Sequence, residues 1–128
     1  MNSIKSLDMN IWGRDFTLPV EYEYFSKEYD TDEQINAVSE FSKHLEWIAD
    51  SKTKVEAFCK KEVDGDEENQ KKDNIFSYIK PDHLFVERKE SNPRVAIMCK
   101  YRYDLEHGLA IVFSHEGEIT VGLQDIIL

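Results

Sequence analysis

Apolar positions change their spacing along the chain. From residue 8 to 24 they alternate with polar ones: Phe16, Leu18, Val20, Tyr22 and Tyr24 fall at every second position, after Ile11 and Trp12. A two-residue period places one side chain in two on the same face, which predicts a β-hairpin. Gly13-Arg14 fits a two-residue turn of the II′ type between its arms. Pro19 has no N–H for a neighbouring strand, so an edge position or a bulge is expected there. From residue 31 the spacing lengthens. Ile35, Val38, Phe41, Leu45 and Ile48 form one stripe of an amphipathic helix that starts at Asp30-Thr31. Thr31 with Gln34 makes a capping box, and Asp32 and Glu33 complement the helix dipole. Near Asp50-Ser51 the pattern restarts, with Asp50 as N-cap and Val55, Phe58, Cys59 and Val63 as a second stripe. The stripes are nearly in phase, so one bent helix is the alternative. Two helices are expected, because some thirty uninterrupted residues exceed the usual length.

Residues 64–74 carry acids, amides and lysines with no apolar member, and are expected to form a mobile acidic loop. Beyond it the two-residue period returns. Strands are predicted at 83–88, after the Lys80-Pro81-Asp82 turn, at 94–103 and at 109–114. Val95, Ile97, Cys99 and Tyr101 share one face of the second, with Ala96, Met98, Lys100 and Arg102 on the other. Residues 104–108 read as a turn, and Glu116-Gly117 as a hairpin into Ile119-Thr120-Val121. The apolar ending, Ile126-Ile127-Leu128, argues against a frayed tail. Hairpin, helices, then antiparallel strands is an α+β order, with the helices packed on one sheet.

A length of 128 residues fits one domain spanning 1–128. With 41% apolar residues and seven Phe, six Tyr and two Trp, the chain has the means to build a core. A mean hydropathy of −0.58 and the lack of any long apolar run predict a protein outside the membrane. Met1 to Asn10 has no apolar run of the secretory kind, and Cys59 and Cys99 are too few for a disulfide framework. Both are read as reduced, in a cytoplasmic protein.

The charge is uneven. Residues 15–50 hold ten acids and two bases, a balance of −8 within a net −10. Such a field disfavours phosphate backbones and anionic membranes and steers basic partners. Glu21, Glu23, Asp32, Glu33, Glu40 and Glu46 are the residues expected to meet a basic protein. No nucleic acid or membrane contact is expected.

Candidate chemistry is sparse. His44, His83, His107 and His115 share no helical or zinc-type spacing, and no metal or cofactor is expected. Asp64, Asp66 and Glu68 echo a calcium loop, but Ile75 stands where its bidentate glutamate belongs. No Gly-x-Ser-x-Gly elbow or phosphate-binding glycine loop occurs. The turn Asp104-Leu-Glu-His-Gly108 places a histidine beside two carboxylates. It reads as a tight turn in which Gly108 takes positive φ, with general-base chemistry through Glu106 and His107 as the alternative. Trp12, Tyr22, Tyr24 and Trp47 read as core residues, with a binding surface as the alternative.

Tyr103-Asp-Leu-Glu-His-Gly-Leu-Ala-Ile-Val-Phe113, Gly117 and Val121-Gly-Leu-Gln-Asp-Ile-Ile-Leu128 together resemble a family of uncharacterised small bacterial domains. Those domains end in a Glu-His-Gly-Leu turn, an apolar strand and a closing Val-Gly-x-Gln-Asp-Ile. The resemblance implies a cytoplasmic, single-domain, non-enzymatic α+β protein, similar in character to immunity proteins that dock on a toxin. It marks Glu106, His107, Gly108, Gln124 and Asp125 as motif positions without an assigned role. Read from the residues, Gln124 and Asp125 would hydrogen-bond to the Glu106–Gly108 turn and tie down the last strand. The acidic 64–74 segment departs from the more compact members.

Three functions follow as expectations. The first is a protein-binding module using its acidic face. The second is a ligand-binding or hydrolytic protein using Glu106 and His107 with Asp104 or Asp125. The third is a structural homo-oligomer, a dimer paired through a strand such as 17–24 in place of a monomer.

Overall fold

β1 (Ser6–Ile11) and β2 (Arg14–Tyr22) form the expected hairpin, but its turn is one residue earlier than the glycine pattern suggested. Ile11 pairs with Arg14, so Trp12 and Gly13 are the central residues. Their φ angles of 49° and 95° are both positive, which makes the turn I′ rather than II′. A tryptophan rarely adopts that backbone. Here its indole donates to the carbonyl of Ile48 at 3.0 Å and to Ser51 Oγ at 3.3 Å, pinning the hairpin tip to one helix. The computed structural model containing these contacts describes residues 3–24, 31–70 and 74–128.

α1 (Asp32–Ser42) begins with the capping box read from the sequence. Thr31 Oγ1 accepts the Gln34 N–H, and Gln34 Oε1 accepts the Thr31 N–H. The predicted start at Asp30 lies outside the described residues. There are two helices, yet the break falls at 43–45 and not at Asp50-Ser51. The N–H groups of Lys43 and His44 bond three residues back, to Glu40 and Phe41, and tighten the chain out of the α-helix. Asp50 therefore lies inside α2 (Glu46–Asp64) and caps nothing. Ser51, fully buried, turns its hydroxyl back to Ile48 O at 2.6 Å, so a residue read as a boundary is interior.

The predicted 64–74 loop is corrected in part. Asp64 ends α2, Glu67–Gln70 forms a single turn (α3), and residues 71–73 lie outside the described set. Asp66, between the helices, accepts the Tyr103 hydroxyl at 3.0 Å and pairs with Arg102 at 3.2 Å. Polarity marked the segment as solvated, but these partners fasten part of it to the sheet.

A short 3-10 turn at Ile75–Ser77 leads into β3 (Ile79–Val86), β4 (Val95–Tyr101), β5 (Leu109–Phe113) and β6 (Ile119–Leu123). The six strands lie in chain order, antiparallel except for β2 beside β3. That pair is parallel because the helices carry the chain back before β3 begins. β2 consequently has neighbours on both sides, which corrects the edge assignment: the outer strands are β1 and β6. Pro19 is accommodated without a bulge. Val20 donates to Lys5 O at 2.9 Å, so the preceding nitrogen points away from β1, toward a side where pairing with β3 starts only at Val20. The sheet's irregularity is instead in β3, between Pro81 and His83.

Both faces of the central strands are buried. Leu84, Val86, Val95, Ile97, Cys99, Leu109, Ile111 and Phe113 pack with Ile35, Val38, Phe41, Ile48, Val55 and Cys59 of the helices. The opposite face holds Phe85, Ala96, Met98, Ala110 and Val112 together with Ile127. Ile127 thus serves as part of the cover, after a 3-10 turn at Gln124–Ile126, while Ile126 and Leu128 are exposed.

Gln34 ties the layers together. It is fully buried, and its amide donates to Glu23 O at 2.7 Å and Val86 O at 3.3 Å while Oε1 serves the cap. One side chain thereby satisfies the start of α1 and the adjoining ends of β2 and β3.

Candidate functional site

The ends of β3 and β5 and the start of β4 meet at one end of the sheet, under α1. A cleft of about 360 Å³ opens there. Its buried base consists of Phe41, Pro93, Val95 and Phe113. The rings of Phe41 and Phe113 lie 5.1 Å apart at 50°. Exposed Glu33, Asn36 and Glu40 stand one helical turn apart along α1, which puts them on the cleft side of a helix whose stripe faces the sheet. Exposed Asn92 and His115 come from the β3–β4 and β5–β6 connections.

One wall is aromatic. His44 and Trp47 stack at 4.5 Å with only 6° between their planes. His44 Nδ1 lies 3.1 Å from Glu46, and this hydrogen bond holds the Glu46 carboxyl below its usual range. Gly117 makes the close approach of the Trp47 edge possible. It has φ +88°, and a β-carbon there would lie 2.7 Å from Trp47 Cε2.

The β3–β4 connection is also held in place. Glu87 N–H bonds Arg94 O, the Glu87 carboxylate accepts the Arg94 N–H and pairs with its guanidinium, and Glu23 accepts the Arg88 N–H at 2.8 Å. These contacts fix the loop that carries Asn92, at φ 52°, and Pro93.

The six acids expected to form one face are thus divided among several places. Glu33 and Glu40 line the cleft, and Glu46 borders it through His44. Asp32 lies exposed in the first turn of α1. Glu23 is a loop anchor. Glu21 follows the core-facing Val20 and precedes Tyr22, so it projects from the other face of the sheet, where Oε2 lies 3.4 Å from His83 Nε2. Sequence reasoning missed Asn36, Asn92, Pro93, Ser114 and His115 as neighbours. They are contributed by three separate segments, and nothing in their local pattern distinguishes them.

The 104–108 turn lies at the opposite end of the sheet, between β4 and β5. Asp104 Oδ1 accepts the His107 N–H at 3.1 Å, and Asp104 O accepts the Gly108 N–H at 2.9 Å. Nδ1 of His107 lies 3.0 Å from both carboxylate oxygens. Those bonds hold Asp104 below its usual range, the backbone N–H of His107 contributing most, and the carboxylate hydrogen bond raises the His107 imidazole. Glu106 and Asp125 are exposed beside them.

Gly108 has φ +64°, as its place in the turn suggested, and a β-carbon there would lie 2.5 Å from Gln124 Nε2 and 2.9 Å from Cys99 O. Gln124 does secure the last strand, but by donating to Cys99 O of β4 at 3.2 Å and not to the turn itself.

At this same end Tyr78, Tyr101 and Tyr103 cluster, with ring centroids 5.5–6.0 Å apart in successive pairs. Burial pushes the Cys59 thiol up to about 11, against an opposing hydrogen bond from Tyr101, and pushes Cys99 up further. Neither is a thiolate nucleophile at neutral pH. Both cysteines are free. Among the described residues, no group of three His, Cys, Asp or Glu is placed to hold a metal ion, and no helix is long and apolar enough to cross a membrane.

The family described as a domain of unknown function (DUF6985) matches residues 3–128, and the chain belongs to it. No curated protein matches the chain, and no solved structure does.

Proposed function

We propose that this member of the family is a non-enzymatic, cytoplasmic protein-binding module that receives a basic segment of a partner protein in the cleft alongside α1. The observation that carries this reading is the cleft: two carboxylates, Glu33 and Glu40, stand over a buried apolar base, and no lysine or arginine lines it among the described residues. A concave apolar site with a few convergent polar groups is the usual form of a recognition site. The excess of acids over residues 15–50 would speed encounter with a basic partner and make it salt-sensitive. Two buried free thiols are in keeping with a reducing compartment. An immunity-protein-like role, blocking a basic toxin by docking on it, is the form of this reading that the charge favours. Hydrolysis by Asp104 and His107 has less support, because the pair is exposed and its members are engaged with each other.

The test is a comparison of the protein with its Glu33→Lys/Glu40→Lys variant as baits in native lysate, at low and moderate salt. The expected result is a basic protein held at low salt, released at moderate salt and absent from the variant. A partner retained equally by the variant would sink the proposal.

A further inference from the structure

We infer that the cleft is a pocket for the guanidinium of an arginine side chain on the partner, with lysine a poorer fit. This rests on the binding reading above and adds the chemistry of the contact. Three features of the cleft combine to favour that group.

The first is charge. The Glu33 side chain makes no hydrogen bond or ion pair among the described residues. Glu40 has only Lys43, at 3.2 Å, with both side chains about two-thirds exposed (64% and 65%). An ion pair that exposed is weak and readily exchanged for an incoming cation. Arg94, between Pro93 and Val95 of the cleft lining, is engaged by Glu87 and does not pair with either carboxylate.

The second is shape. The His44–Trp47 stack is flat to within 6°, and the base below it includes the Phe41 and Phe113 rings. A guanidinium is planar, weakly hydrated and able to lie on a ring face while its edge donates to carboxylates. An ammonium is a compact, strongly hydrated point charge and uses only the charge of the site.

The third is preorganisation. Gly117 sets the depth of Trp47, and the β3–β4 loop is fixed by Glu23 and Glu87. The Phe41 and Phe113 rings are buried to within 2%. Little ordering remains to be done when a side chain enters, which favours binding of a small group.

The experiment is an NMR titration of the full chain at low salt. The probes are two short acetylated, amidated peptides in a glycine–serine background, one carrying arginines and the other lysines at the same positions. The expected result is movement of the Trp47 indole and of the amides of 113–115 by the arginine peptide. Its binding should be about threefold tighter than that of the lysine peptide and weakened about fivefold by Glu33→Gln/Glu40→Gln. Both substitutions lie on exposed positions, and circular dichroism will verify that the fold is kept.

Equal affinity for the two peptides, with shifts along α1 and none at Trp47, overturns the arginine pocket and leaves the basic-partner reading standing. Cleft shifts that ignore the glutamine variant also overturn it. No binding of either peptide overturns both.

Discussion

Where β4 stops and β5 begins, Gly108 and Gln124 fit together with no room for a β-carbon between them. Where β5 stops, Pro93 and Phe113 lie at the base of an open cleft. The first end carries the recognisable string of residues, from Glu106 to Gly108 and again at Gln124 and Asp125. Its backbone bends to positive φ, its histidine and aspartate bond to each other, and its glutamine is used on a strand carbonyl. The second end carries no string at all, only side chains from α1, the start of α2 and the connection before it, the ends of β4 and β5 and two sheet loops. A compact sequence motif can therefore mark a demanding piece of folding, while the surface with exposed carboxylates is assembled from scattered positions.

Substitutions at two glycines would test this contrast most strongly. Gly108→Ala forces a β-carbon against Cys99 O and Gln124 from a left-handed backbone, and should cost about 2–4 kcal/mol in urea unfolding. A loss below about 0.5 kcal/mol would mean that the turn is not the tight closure described. Adding Gln124→Ala should recover only part, because the strand carbonyl stays in place.

Gly117→Ala, at φ +88°, meets a side chain that can yield, so the cost should be smaller, about 1–2 kcal/mol. Its distinctive consequence is displacement of Trp47 and altered fluorescence from that indole. Unchanged emission would separate Gly117 from the cleft wall.

The smallest effect is at the Asp104–His107 pair. The carboxylate raises the imidazole above its ordinary value of about 6.5, so the stability this adds is complete below that value and is lost as pH rises through the folded pKa. Asp104 is lowered, so its contribution is present above the ordinary carboxylate value and is lost as pH falls through the folded one. The contact therefore adds most between roughly pH 4 and 6.5. Asp104→Asn should bring the His107 midpoint down in an NMR titration with little change in stability. A midpoint that stays put would remove the pairing.

Much of the architecture was legible along the chain. The capping box at Thr31 and Gln34 is a local arrangement of two side chains and one turn of backbone, and it forms as read. The inward set Val95, Ile97, Cys99 and Tyr101 follows from alternation alone. Local signals misled where a distant partner decided the outcome. The glycine pattern puts Gly13 first in the turn, yet Trp12 takes that position, with Ile48 and Ser51 holding its indole. Asp50 resembles an N-cap, but the helix had already restarted at Glu46. Pro19 suggested an edge, although β3 pairs alongside β2 from the next residue onward.

The candidate site was legible only in part. Glu33 and Glu40 stood out through the charge balance of their segment, which is additive and visible in any sequence. Glu21 belonged to the same balance and lies on the opposite face of the sheet, because alternation along β2 sends neighbours to opposite sides.

The sequence by itself determined the period of each element, the cap of α1, the residues able to form a core and the sign of the field around them. These depend on nearest neighbours in the chain and on composition. Tertiary structure alone decided the parallel junction of β2 and β3, the burial of both sheet faces, the use of Gln34 as a link between layers, and the meeting of Glu40, Trp47, Pro93 and Phe113 around one cleft. Those depend on which segments approach one another across the fold, and no local period encodes that.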